Sequence, residues 1–190
     1  MAWHKGKWWP VFVSQWYSPG VSQYMFDPYS FTHLLHGVAG FYIWFGLLHY
    51  AAGLDWFLAC LAGFGICFVI ELAWELVENS ECIIKRYRET SGTSANYEGD
   101  SYQNIIGDLI ACQTGYGLSW IFSYACGNMP WLSGILSLVV YLITEVCLLL
   151  YMRDCLTLTF CTLICKIEKV SKWQEEGVEN ARKKEQNPTA

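Results

Sequence analysis

Carboxylates set inside long apolar runs constrain this chain more than any other feature of its sequence. Glu71, Glu75 and Glu78 lie in the run E-L-A-W-E-L-V-E-N, and Asp108 opens another apolar segment after Y-E-G-D-S-Y-Q-N-I-I-G. A carboxylate at the bilayer centre costs about 2.5–3.5 kcal/mol even on the mildest insertion scale. Partners must offset that cost, so ionisable groups placed this way mark a functional site by default.

The runs themselves are what a membrane requires. Of the residues, 54% are hydrophobic and only 15% charged, against about 25% charged in an average soluble domain. Residues 28–52, 55–79, 101–126 and 131–152 predict four transmembrane helices. Asp27-Pro28 reads as the cap of the first and Asp100 or Ser101 as that of the third, while Asp55 begins the second and Pro130 opens the fourth. Farther on, Leu156, Phe160, Leu163, Ile164, Ile167 and Val170 recur at helical spacing, with Lys166, Glu168, Lys169 and Lys172 elsewhere on the wheel. That pattern predicts an amphipathic helix on the membrane surface, with a re-entrant segment as the alternative. The expected fold is all-α: a polytopic membrane helix bundle of four transmembrane helices plus a C-terminal amphipathic interfacial helix. Its parts are an aromatic interfacial arm (1–26), the bundle (27–153), the surface helix (154–175) and a polar tail (176–190), disordered on its own. The arm holds Trp3, Trp8, Trp9, Trp16, Tyr17 and Tyr24, which suit either the headgroup region or a neighbouring protein.

Four spans put both termini and the loop 80–99 on one side, together with all 12 lysines and arginines. The positive-inside rule makes that side the cytoplasm, or the matrix of a mitochondrial inner membrane. The first 26 residues have no adequate apolar core for a signal peptide and no arginine, so insertion is expected to use the internal helices. Most of the nine cysteines sit in apolar runs and read as small buried hydrophobes, and Cys161 with Cys165 has no histidine beside it to complete a metal set. No nucleic-acid partner is expected.

The same four-span parity gathers the polar residues in one half of the bilayer. His33 and His36 are three apart, Glu71, Glu75 and Glu78 four and then three apart, and Asn104 and Asp108 four apart, so each set shares one helix face. With Asp100 they predict a polar pocket open to the charged side and ringed by Arg86 and Arg88. Three readings stand side by side. The cluster holds a divalent metal whose bound water a glutamate deprotonates; it is a structural network of ion pairs and hydrogen bonds; or it binds a lipid headgroup or a quinone. Bound phospholipid is expected in any case. Arg86 and Arg88 are headgroup or phosphate candidates, or an ordinary positive-inside loop. Ser101 is better explained as a helix cap than as a nucleophile.

The motifs F-T-H-L-L-H-G, W-E-L-V-E-N with R-Y-R, Y-E-G-D-S-Y-Q-N, and R-D-C-L-T-L-T with a closing K-W-Q stand in order between residues 29 and 174. They resemble the bacterial membrane family known as domain of unknown function 2585, or uncharacterised protein family 0314, which is similar in layout to VanZ-like membrane proteins. The resemblance implies a multi-span inner-membrane protein with His33, His36, Glu75, Glu78, Asn79, Arg88, Gly99, Asp100, Ser101, Asn104 and Asp108 at motif positions. It implies no known activity. The sequence departs from the family pattern at Ile105, Cys155 and Thr159. Because the family is alphaproteobacterial, a cysteine-rich member suggests a mitochondrial descendant serving as a structural accessory subunit of a larger complex, such as a respiratory complex or ATP synthase. The arm and tail would grip its other subunits. The alternative is a metal-dependent membrane hydrolase, or a lipid- or quinone-headgroup-binding protein, built on the polar cluster.

Overall fold

The structure, a computed structural model, describes residues 11–18, 20–127 and 130–186. Trp3, Trp8 and Trp9 of the expected arm, with Lys5 and Lys7, lie outside the described residues. Among the described residues seven α-helices follow one another: α1 (Ser30–Phe45, continued by a π-helical turn Gly46–Ala51), α2 (Trp56–Glu78), α3 (Glu81–Thr90), α4 (Tyr102–Ala125), α5 (Pro130–Met152), α6 (Leu156–Ile164) and α7 (Glu168–Gln186). The described residues contain no strand, only an isolated bridge between Phe12 and Phe26.

The apolar runs become helices that are inside-out by the standards of a water-soluble protein. Glu71, Glu75, Asp108, Ser119, Ser123, Ser133 and Ser137 are buried, while Phe57, Leu61, Val69, Leu76, Ile121, Leu142, Ile143 and Leu150 are exposed. An apolar exterior of this extent is stable only against lipid or another apolar surface. Ser30–Ala51, Trp56–Glu78 and Trp131–Met152 are long and apolar enough to cross a membrane. The expectation of four spans meets its limit at α4. That helix has 24 residues, but Gln103, Asn104, Asp108, Gln113 and Thr114 dilute its apolar character.

The chain packs as two compact units, the first made of Met1–Pro28, Val77–Asn104 and Glu145–Ala190, the second of Tyr29–Leu76 and Ile105–Thr144. In the second unit, Phe41 stacks on Phe45 and takes Tyr116 edge-on, with ring centroids 5.3 and 5.2 Å apart. The Tyr116 hydroxyl donates to the Cys60 carbonyl at 3.0 Å. Around them α1 and α4 touch backbone to backbone. A Cβ on Gly37 would lie 1.8 Å from the Cys112 carbonyl oxygen, and one on Gly115 would lie 2.0 Å from that of Leu34. Only glycine permits this approach. Asp55 caps α2 through the Phe57 and Leu58 amides, at 2.9 and 3.3 Å, and Tyr42 reaches α5, meeting Ser137 Oγ at 2.7 Å. The nine cysteines are free thiols.

The first unit corrects several expectations. The Asp27 carboxylate accepts from the Ser22 amide at 2.7 Å, and α1 begins two residues later than expected, after Tyr29, whose own side chain makes no cap bond. The stretch 80–99 is not all loop, because Ser80 caps α3 within it. Ser101 is a cap as expected, accepting from the Asn104 amide at 3.1 Å. The single surface helix expected over 154–175 is two helices, broken where Cys165 turns extended, and the expected tail is helical as far as Gln186.

The reason for the break lies in how α6 is held. Glu145 accepts from the Leu156 and Thr157 amides at the N-terminus of α6, both at 3.0 Å. At its C-terminus, Arg86 donates to the Leu163 and Ile164 carbonyls, both at 2.8 Å. An acid at one end and a guanidinium at the other satisfy the orphan backbone groups in the order the helix dipole favours. Glu145 is therefore a helix cap. α7 is fixed by the K-W-Q motif. Gln174, fully buried, accepts from the Gly92 amide at 3.0 Å and donates to the Arg153 carbonyl at 3.1 Å. The Arg153 guanidinium lies over the Trp173 ring, 5.1 Å from its centroid.

Asp154 sits at the centre of this knot, accepting from Thr93 Oγ1 at 2.8 Å and from Thr159 Oγ1 and the Cys155 amide at 3.0 Å each. Burial outweighs these bonds and pushes its carboxyl up to about 6. An unfolded aspartate titrates near 3.9, so the folded state binds the proton more tightly. Stability from this group is greatest below about pH 4 and is lost as pH rises toward 6, by up to about 3 kcal/mol. Asp154→Asn is expected to remove that loss, so its stability advantage over wild type should grow between about pH 4 and 6 in detergent melts. A constant difference across the window contradicts the assignment.

Candidate metal centre

Three helices of the second unit deliver the cluster. α1 presents His33 and His36 on one face, α2 presents Glu71 and Glu75 one turn apart, and α4 brings Asp108. Glu71 Oε1 lies 2.6 Å from His33 Nδ1 and 3.1 Å from His36 Nδ1. Glu75 Oε1 is 3.2 Å from His33 Nδ1, and Asp108 Oδ2 is 3.9 Å from His33 Nε2. His33, Glu71, Glu75 and Asp108 are all buried. His36, less buried, meets the His33 ring edge-on and packs edge-on against Trp74.

The electrostatics of this group decide what it can be. Three buried carboxylates face two imidazoles, so even two protonated histidines leave a net negative charge in a low-dielectric interior. Nitrogen and oxygen donors in this mixture are those that zinc, iron and manganese take, and bundles build such sites from facing helices. The ligand-type atoms are already close: those of His33, His36 and Glu71 lie within 4.8 Å of one another, as do those of His33, Glu75 and Asp108.

Five of the eight residues expected in the pocket thus converge. Glu78, Asp100 and Asn104 belong to the first unit. There, Asp100 Oδ2 accepts from Asn79 Nδ2 at 3.0 Å and from the Tyr97 hydroxyl at 2.6 Å, while its amide donates to Asn79 Oδ1 at 2.6 Å. Two motifs far apart in sequence are joined by that reciprocal pair. Glu78 accepts from Tyr87, and burial beside these acids raises both the Tyr87 and Tyr97 phenols. Asn104 is buried with its Nδ2 unpartnered. Arg86 is the α6 cap, and Arg88 donates to the Tyr97 carbonyl. Both headgroup candidates therefore have structural work.

Sequence reading missed Ser30, whose hydroxyl donates to Asp108 Oδ1 at 2.7 Å. The signal was present: Ser30 lies one helical turn before His33 on the same face. A cavity of about 400 Å³ in the second unit is lined by Phe68, Ile106, Leu109, Ile110, Gln113 and Thr114, and no cluster residue borders it.

Comparison with known proteins places these features in a family. Residues 4–176 match the family described as protein of unknown function (DUF2585). A UPF0314 protein of Sphingopyxis alaskensis is 33% identical over 160 residues, covering 82% of this chain and 73% of the relative. UPF0314 proteins of Brucella anthropi and Paracoccus denitrificans are each 34% identical, over 80% of this chain and 69% and 70% of the relatives. These relatives are bacterial, and the expectation of a mitochondrial membrane gains no support from them. No solved structure matches the chain. A buried His/Glu/Asp centre among membrane-type helices, a profile match over most of the chain and these relatives together place the chain in the DUF2585 family of UPF0314 proteins.

Proposed function

We propose that this chain is an integral inner-membrane protein that holds a divalent metal at His33, His36, Glu71, Glu75 and Asp108. The observation that carries the reading is the convergence of two imidazoles and three carboxylates from three helices, their ligand-type atoms in two sets of three that share His33, each set within 4.8 Å. A cation there offsets charge that the histidines cannot. Bound, such an ion supplies Lewis acidity suited to hydrolysis of a membrane-soluble substrate. His33 and Glu71 hold the arrangement through their 2.6 Å contact, and Ser30 orients Asp108. α4 serves as the fourth span, its apolar residues Ile106, Ile110, Ile121 and Phe122 turned outward. The lysines and arginines then put both termini on the cytoplasmic side.

The accessory-subunit reading has less behind it. Of its motives, the aromatic arm, the polar tail and the departures from the family pattern, the tail needs no neighbour, because α7 finds partners within its own unit at Gly92 and Arg153.

Metal content tests the proposal. Wild type extracted in mild detergent is expected to keep a divalent metal through gel filtration, and Glu71→Gln and Glu75→Gln to lose it at least tenfold. A metal-free wild type whose melting temperature ignores added zinc, manganese and iron overturns the reading in favour of a metal-free ion-pair network.

A further inference from the structure

We infer that the centre is built for two divalent ions that share His33 as a common ligand; this rests on the metal reading above. Bond lengths carry the first step. Ions of the zinc class sit about 2.0–2.2 Å from nitrogen and oxygen ligands, so the ligand atoms of one ion lie at most about 4.4 Å apart. At 4.8 Å, slightly beyond that reach, the five side chains still do not form a single set. They form two sets of three, His33 with His36 and Glu71, and His33 with Glu75 and Asp108, and only His33 belongs to both.

The His33 ring is oriented for that role. Its Nδ1 faces Glu71 Oε1 at 2.6 Å and Glu75 Oε1 at 3.2 Å, and its Nε2 faces Asp108 Oδ2 at 3.9 Å. The two nitrogens of one imidazole thus point to carboxylates from two different helices, α2 and α4. Nδ1 serves the ion held with Glu71 and His36, Nε2 turns toward the ion held by Asp108, and Glu75, beside Nδ1, completes the second set through its place within 4.8 Å of Asp108.

Charge supports the same count. One divalent ion leaves the three carboxylates with a net charge of minus one in a buried site. A second ion offsets the negative charge that the first leaves in the low-dielectric interior. Imidazole ligation narrows the metals to zinc, iron, copper or nickel rather than magnesium or calcium.

Zinc is the probe for the test. Detergent-extracted protein is loaded with zinc, freed of excess by gel filtration, and its metal-to-chain ratio measured. Wild type is expected to hold two ions, His36→Ala and Asp108→Asn one each, and His33→Ala none. One ion in wild type overturns the inference while leaving the metal reading intact, and no ion overturns both. Two ions retained by both His36→Ala and Asp108→Asn overturn the assignment of ligands. The wild-type ratio needs no variant, so poor folding of any variant leaves the inference open to refutation.

Discussion

Replacing His33 by alanine is expected to destabilise the protein by about 3–5 kcal/mol, the range for removing one partner from a buried ion pair. His33 is the residue that Glu71, Glu75 and Asp108 all face. Its loss leaves three buried carboxylates facing one imidazole, His36, where there were two. The damage should come chiefly from uncompensated charge rather than from the cavity, and a rescue distinguishes the two. Adding Glu71→Gln and Glu75→Gln to His33→Ala is expected to recover much of the stability in detergent melts, because the neutral amides no longer need a cation. Metal binding should not return. If the triple variant melts as low as His33→Ala alone, lost packing dominates and the electrostatic account of the site is wrong.

Alanine at Gly37 or Gly115 is expected to cost about 3 kcal/mol, at the upper end of overpacking penalties. Each new methyl would collide with a backbone carbonyl, at 1.8 Å from Cys112 and 2.0 Å from Leu34. No side-chain rotation relieves a clash with backbone, so the two helices must separate. Separation moves His33 and His36 on α1 away from Asp108 on α4, and metal retention should fall with stability. The double variant should cost less than the sum, since the first methyl already opens the contact that the second would strain. Gly117→Ala is the control: nothing lies within 4 Å of its Cβ position, and exchanging a helical glycine for alanine favours the helix by about 1 kcal/mol. Equal losses at Gly117 and Gly115 would show that close backbone approach does not govern these sites.

How much of this was legible in the sequence follows from which interactions are local. Hydropathy and capping placed α1, α2, α4 and α5 to within a few residues, because Asp55 and Ser101 act on amides two or three positions away. Helical spacing also put His33 with His36 and Glu71 with Glu75 on shared faces. The misses are long-range. Nothing local to Glu145 announces that it caps a helix beginning eleven residues later, nor does anything near Arg86 foretell its bonds to carbonyls 77 and 78 positions away. Without those two partners, residues 154–175 read as one amphipathic helix. The polar α7 offers no apolar stripe; it is held by Gln174, and by a glycine at 177 whose Cβ would strike Arg153. Asp100 and Asn79 were both recognised as motif residues, but their pairing joins turns of chain that sequence spacing cannot relate.

The central claim is that the five converging side chains hold a divalent metal. Metal-edge X-ray absorption of the wild-type protein, extracted in mild detergent and freed of loosely bound ions, tests it most directly. The account predicts a first coordination shell of nitrogen and oxygen alone at about 2.0–2.2 Å, with outer-shell scattering from imidazole. A shell dominated by sulfur at about 2.3 Å would move the metal to the cysteines, and a spectrum without a metal edge would leave the cluster a metal-free network. Either result contradicts the account.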